Sequence, residues 1–197
     1  KEIPEHILNT IKVSSTNIRN AILQSNIEEA NNLLGYEFFF EGEVFHGDKI
    51  GRTIGYPTAN LKSTDEEKIA LGDGIYSVYG TVEGKTYKGM MSIGFRPTVD
   101  GKVRVTEVNI FDFDKEIYGQ KIRVMVKKYL RGEVKFDGLE ALKTQLHKDK
   151  EDSLACLWWK SGNTIKAQKR FSVQECDATK AAQRNIAGDK KNHTIQA

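Results

Sequence analysis

With 197 residues, 39% of them hydrophobic, and a formal net charge of +3 from 30 basic and 27 acidic side chains, the chain fits one ordinary domain with appendages or two small ones. Mean hydropathy is −0.51, and no apolar run approaches the ~20 residues of a membrane helix. Nothing resembles a signal peptide, so membrane association is not expected and a cytoplasmic location is.

The charge excess belongs to the tail: from Trp158 onward eight basic residues stand against three acidic ones. It therefore says little about the ligand of the main body. Cys156 and Cys176 form no CxxC and read as two free thiols. The chain opens on Lys1 rather than Met, which fits a piece of a longer protein.

Three segments separate along the chain. The first, 1–36, reads helical. "SSTNIRNAILQ" places Ser and Thr capping residues before Ile18, Ile22 and Leu23. "NIEEANNLLG" supplies Asn26 as N-cap, Glu29 three residues on as a capping box, and Gly35 as terminator. Two short helices cannot bury a core alone, so this piece packs on something else or is the stump of another domain.

The second segment, 37–152, is strand-rich. "GYEFFFEGEVF" reads as a strand, and "GIYSVYGTVEGKTYKGMMSIG" alternates around a Glu83-Gly84 turn, a hairpin signal. "KVRVTEVNIFDF" and "KIRVMVKKYL" follow, the latter with Ile122, Val124 and Val126 on one face. Several antiparallel strands argue for a barrel or a sandwich, and in about a hundred residues a small closed barrel removes sheet edges more economically. "GLEALKTQLHKD" then spaces Leu139, Leu142 and Leu146 as an amphipathic helix expected to pack across the barrel. The third segment, 153–197, is polar and weakly patterned; Trp158 and Trp159 could anchor its start, and little order is expected beyond them.

Familiar sites are mostly excluded. "GTVEGKT" imitates a phosphate-binding loop but has three residues between its glycines rather than four, and lies in a hairpin. The four histidines, His6, His46, His147 and His193, show no metal-ligand spacing. The stretch "GEVFHGDKIGRTIGYPTAN" is different. Gly42, Gly47, Gly51 and Gly55 recur too often for a strand interior, and glycines let backbone N–H groups approach a ligand. Lys49 and Arg52 add positive charge, a combination suited to phosphate oxygens. In an extended segment Thr58 and Asn60 point to the same side, where they either close a turn or supply oxygen ligands to a small hard cation such as Mg²⁺.

In "VRVTEVNIFDF", alternation puts Val103, Val105, Glu107, Asn109, Phe111 and Phe113 on one face. A carboxylate among Val and Phe is partly desolvated and suited to act as a base near neutrality. The blander alternatives are that Glu107 faces solvent or pairs with a nearby Lys or Arg.

Taken together, "GEVFHGDKIGRTIGYPTANL", "GIYSVYGTV", "MSIGFRPTV" and "TEVNIFDFDKEIYGQKIRVMVKKYLRGEVKFDGLEALKTQLHKD" resemble the riboflavin kinase module of bacterial bifunctional riboflavin biosynthesis proteins. In that family an FMN adenylyltransferase domain precedes the kinase, and "VSSTNIR" resembles a loop late in that domain. The resemblance covers about Val13 to Asp149. PTAN after GRxxG, with the Glu and "YG" at matching distance, is its most specific feature.

The resemblance implies a mainly β fold, a six-stranded antiparallel Greek-key barrel with a C-terminal helix preceded by a short helical segment. Residues 1–36 would be the helical remnant of the nucleotidyltransferase domain. The implied activity is transfer of the ATP γ-phosphate to the riboflavin 5′-hydroxyl, giving FMN, with Mg²⁺. Thr58 and Asn60 would hold the metal, and Glu107 would be the base. Gly47, Lys49, Gly51, Arg52, Gly55 and Pro57 would line the phosphates. Arg96, Pro97 and Thr98 of "GFRPT", with Arg131 and Phe136 of "LRGEVKF", would bound the flavin.

No HxGH-type nucleotidyltransferase motif is present, so FAD synthesis is expected of a longer parent protein and not of this chain. Ser14, Ser15, Thr16 and Arg19 then read as a helix cap. Competing readings are a flavin- or nucleotide-binding barrel without catalysis and, last, a nucleic-acid module. The latter predicts aromatics interleaved with cations, where the tail offers only Trp158, Trp159 and Phe171.

Overall fold

A computed structural model of the chain describes residues 7–8, 11–47, 50–65, 68–98 and 101–157. In chain order its elements are β1 (Ile7–Leu8), β2 (Ile11–Lys12), α1 (Ser15–Leu23), α2 (Ile27–Leu34), β3 (Phe39–Phe45), α3 (Ile50–Thr53), β4 (Ala59–Ser63), β5 (Gly74–Val82), β6 (Lys85–Thr98), β7 (Gly101–Ile110), β8 (Lys121–Arg131) and α4 (Leu139–Cys156). Six strands close into an antiparallel barrel in the order β3-β4-β7-β6-β5-β8. Within it β5, β6 and β7 run as consecutive hairpins and β8 returns beside β5, which is a Greek key.

The turn that starts this meander follows from two residues. Glu83 and Gly84 both take positive φ, 48° and 76°, and join Val82 to its register partner Lys85. Two left-handed residues match the right-handed twist of the flanking strands, and glycine makes the second inexpensive. The phosphate-loop look-alike is thus a hairpin.

Period-two alternation decides which side chains fill the barrel. Val44, Leu61, Tyr76, Val78, Met91, Ile93, Val108, Ile122, Val124 and Val126 are buried in one cluster. The outer face of β5 is buried as well, with Ser77 and Tyr79 shielded, and α4 packs on β5, β6 and β8.

The helix departs from its expected form. It runs on to Cys156, past the boundary expected after 152, and Leu157 is buried behind it. Its buried residues are Asp149, Ser153 and Cys156, while Leu139 is well exposed. A buried ionic contact, described below, fixes the helix where a leucine stripe was expected to.

At the other end the first segment is not wholly helical. β1 and β2 form a two-residue antiparallel ribbon before α1, in a stretch where Ile7 and Ile11 are β-branched and favour extended backbone. Ser14 caps α1 by accepting from the Asn17 amide at 3.2 Å, as read from "SST". Gly35 ends α2 in the left-handed region at φ 77°. The Asn26 capping box does not form in the expected way: the Asn26 carboxamide donates to the Glu29 carboxylate rather than Asn26 accepting from the backbone. Ala21, Ile22, Ile27 and Ala30 of the two helices share the barrel's hydrophobic cluster with Phe38, Leu71 and Tyr76. The Ser25 hydroxyl meets the Tyr76 hydroxyl at 3.0 Å, and Tyr76 donates on to the Gly72 carbonyl at 2.7 Å. Residues up to Leu157 form one compact unit. The expectations for 158–197, including Cys176, lie outside the described residues.

Candidate active site

The pairing of β4 with β7 sets Asn60 opposite Glu107, and that of β7 with β6 sets Glu107 opposite Ser92. Leu61 and Val108, one step along, point into the core. Asn60, Glu107 and Ser92 therefore form a row on the barrel's outer face, and Thr58 precedes Asn60 by two residues on the same side. The Thr58 hydroxyl donates to Glu107 Oε2 at 3.4 Å, and the Arg96 guanidinium meets Glu107 Oε1 at 2.5 Å. Asn60 is buried, and the Glu107 side chain keeps only 14% of its surface exposed.

The surroundings of Glu107 correct the expected ones. β7 ends at Ile110, so Phe111 and Phe113 lie beyond the strand and leave the face. Glu107 is shielded, and the Arg96 guanidinium and the Thr58 hydroxyl lie directly on its carboxylate. It pairs with an arginine, one of the blander alternatives, and still faces Thr58.

Gly47 and Gly51 lie in close approach to this chain's own atoms. A Cβ at Gly47 would come within 2.0 Å of the Asn60 amide nitrogen. One at Gly51 would lie 2.2 Å from the Tyr56 carbonyl oxygen and 3.5 Å from the Thr58 hydroxyl. The same Gly51 carbonyl accepts the Tyr56 N–H at 2.8 Å, folding α3 back towards "PTAN". Gly55 lies in the left-handed region at φ 83°. Gly42, in contrast, sits inside β3, where a Cβ would press on the Lys62 carbonyl at 3.1 Å.

The remaining expected residues scatter more. Arg52 reaches Glu116 at 3.7 Å with both side chains largely exposed. The Pro57 carbonyl accepts from the Asn109 carboxamide at 2.6 Å, so a buried asparagine, given no role in the sequence reading, anchors the turn into Thr58. Lys49 lies outside the described residues, as do the side chains of Pro97 and Thr98 at the end of β6.

Arg131, expected at the flavin, is held by contacts within the chain. Its Nε and Nη2 donate to the two oxygens of buried Asp149 at 2.8 and 2.6 Å, and its Nη1 donates to the Gly132 carbonyl at 2.9 Å. Gln145 completes the cage around Asp149 at 2.8 Å. With every nitrogen engaged, Arg131 is a strut between β8 and α4. Phe136 lies against its guanidinium, 5.8 Å from the ring centroid.

Two features were missed. The Glu133 carboxylate packs directly on Gly94, so "LRGEVKF" and "GFRPT" meet on the same outer face as Glu107. A groove of about 510 Å³ also opens between Thr53–Tyr56 and α4, where the Tyr56 hydroxyl lies 3.3 Å from His147 Nδ1. Burial pushes the Tyr56 phenol up, with the Glu151 charge adding to it. Both features join positions distant in sequence, and no local spacing announces them.

Among the described residues no group of three His, Cys, Asp or Glu side chains could hold a metal alone. Thr58, Asn60 and Glu107 instead offer a hydroxyl, a carboxamide oxygen and a carboxylate close together. Such hard oxygen donors fit Mg²⁺ arriving with phosphates that complete its shell.

A family model described as "Flavokinase: Riboflavin kinase" matches residues 34–157, well over half of the chain. A bifunctional riboflavin kinase/FMN adenylyltransferase of Listeria monocytogenes is 47% identical over 145 residues, covering 73% of this chain and 46% of the relative. The protein of the same description from Bacillus subtilis is 42% identical over 146 residues, with coverage of 73% and 46%. The chain thus spans about half the length of the curated relatives it matches. A crystal structure described as a macrolide-efflux protein from Streptococcus pneumoniae superposes with a TM-score of 0.72 at 41% identity, over 77% of this chain and 50% of that one. With the family match extending from the end of α2 to the end of α4, and with the close-packed "PTAN" and Glu107 inside it, the chain belongs to the riboflavin kinase family.

Proposed function

We propose that this chain transfers the γ-phosphoryl group of ATP to the 5′-hydroxyl of riboflavin, producing FMN and ADP. The observation that carries the proposal is the convergence of Thr58, Asn60 and Glu107 on one strip of the outer face, with Thr58 and Glu107 in contact. Phosphoryl transfer asks little covalent chemistry of a protein; it asks for alignment and for charge stabilisation.

In this reading Glu107 takes the proton of the ribityl hydroxyl. As that oxygen forms its bond to the γ-phosphorus, the bond from phosphorus to the β–γ bridging oxygen breaks, and ADP leaves. General-base help of this kind contributes typically ~10²–10⁴-fold. Mg²⁺ held at Thr58 and Asn60 would offset charge on the phosphate oxygens. Gly47, Gly51, Gly55 and Pro57 shape the turn that keeps those two ligands in place, while Lys49 and Arg52 add positive charge for the phosphates. Pro97, Thr98 and Phe136 would flank the flavin, and Arg131 would serve it indirectly by fixing α4.

FMN adenylyltransferase, in the relatives' descriptions, is said of those proteins. We assign kinase chemistry alone to this chain, with an adenylyltransferase domain as its partner in a longer parent protein.

The test is incubation with riboflavin, ATP and Mg²⁺, followed by chromatography. FMN formation supports the kinase. Flavin or nucleotide binding with no FMN formed leaves the non-catalytic barrel as the better reading.

A further inference from the structure

Arg96 stands apart from the other residues expected at the flavin, because it meets the proposed base itself. Its backbone pairs with Val103, while Glu107 pairs with Ser92, four residues back along β6. That is a separation of roughly 13 Å along the strand. The two side chains nevertheless meet at 2.5 Å, leaning towards each other across the Gly94–Val105 pair. Gly94 contributes no side chain there, and the space above it goes to the Glu133 carboxylate.

Resting on the kinase reading, we infer that Arg96 is a positioning residue for Glu107, one that aims the base and keeps it in place as substrate arrives. The charged and polar groups on the face around Glu107 are Arg96 and Ser92 from β6, Thr58 and Asn60 from the β4 side, and Glu133 over Gly94. Arg96 is the cation of that set, and it takes Oε1 while Thr58 takes Oε2. A glutamate has three rotatable bonds, and contacts at both oxygens fix the plane in which its lone pairs point. An incoming triphosphate repels a neighbouring carboxylate, and a guanidinium on that carboxylate offsets the repulsion at close range. Arg96 itself is 42% exposed and keeps room to move with the bound substrates.

The test is a double-mutant cycle on the full chain, with kcat and riboflavin KM measured for wild type, Arg96→Ala, Arg96→Lys, Glu107→Gln and the Arg96→Ala/Glu107→Gln pair. Unfolding midpoints are taken alongside. Arg96→Ala should lower kcat by about tenfold to a hundredfold with riboflavin KM changed by less than about threefold, because a positioning role leaves flavin binding alone. In the Glu107→Gln background the same change should cost less than about threefold, since nothing is left to aim. Arg96→Lys should recover much of kcat, as an ammonium keeps a positive charge beside Glu107.

An Arg96→Ala that raises riboflavin KM about tenfold, and lowers kcat of Glu107→Gln by the same factor as in wild type, overturns the inference in favour of a direct flavin contact and leaves the kinase reading standing. An unchanged kcat overturns it as well. If Arg96→Ala does not fold, Arg96→Met takes its place in the cycle, with the same losses expected and the same outcomes overturning the inference. A wild type that forms no FMN removes the kinase reading and this inference together.

Discussion

Arg131 and Arg96 each meet a carboxylate on the outer side of the barrel, but the two contacts are built differently. Arg131 closes on Asp149 with two nitrogens, and Asp149 retains 2% side-chain exposure and a third donor from Gln145. In the other pair Arg96 Nη2 lies on Glu107 Oε1, and the Thr58 hydroxyl donates to Oε2. The first pair satisfies itself and sets a helix on a sheet. The second leaves a shielded carboxylate turned towards "PTAN". The same ion-pair chemistry serves as scaffold at Asp149, and under the proposed kinase function it serves a working carboxylate at Glu107.

The strongest way to break this contrast is Arg131→Ala. It leaves Asp149 buried without its cation, which costs about 3–5 kcal/mol. Denaturant unfolding should show that loss, and a variant of normal stability with weakened flavin binding would return Arg131 to the flavin. Thr58→Ala and Asn60→Ala should each weaken Mg·ATP by about tenfold, ~1.4 kcal/mol, with stability close to wild type. Calorimetric titration checks this, and undiminished nucleotide affinity would remove both from the metal site. Gly47→Ala sharpens the point, because a methyl 2.0 Å from the Asn60 amide must displace that side chain. It should reproduce the Asn60→Ala affinity loss while Asn60 is still present, whereas full affinity would show that Asn60 need not lie against Gly47.

The smallest effect is a property of the scaffold alone. Burial pushes the Tyr79 phenol up, and the Tyr76 phenol likewise. Groups raised on folding contribute stability that is whole below the ordinary tyrosine value of about 10 and is lost as pH rises past it, because the unfolded chain ionises first. The unfolding midpoint should be flat from pH 7 to about 9 and fall above it, and Tyr79→Phe should fall less steeply. Equal slopes would show that Tyr79 ionises alike in both states.

Much of the scaffold was legible because its signals are local. Glu83-Gly84 carries the turn chemistry, Ile122, Val124 and Val126 carry the strand period, and Ser14 and Gly35 punctuate the helices. The "PTAN" pair and Glu107 were legible by residue type and parity, which placed each on a face. Their partners were not, because register between distant strands decides them: Arg96 reaches Glu107 only through the β6–β7 pairing, and Asn109 reaches Pro57 across 52 residues. The leucine spacing of α4 gave a helix packed on the barrel but not its anchor, for a related reason. Buried Asp149 is held by Arg131, and nothing in the helix's own sequence shows that partner.

The most direct test of the central claim, that the Thr58–Asn60–Glu107 strip performs phosphoryl transfer, is Glu107→Gln assayed for FMN formation beside its unfolding midpoint and riboflavin affinity. Turnover should fall by ~10²–10⁴-fold, with midpoint and affinity near wild type. Wild-type turnover from that variant would contradict the claim.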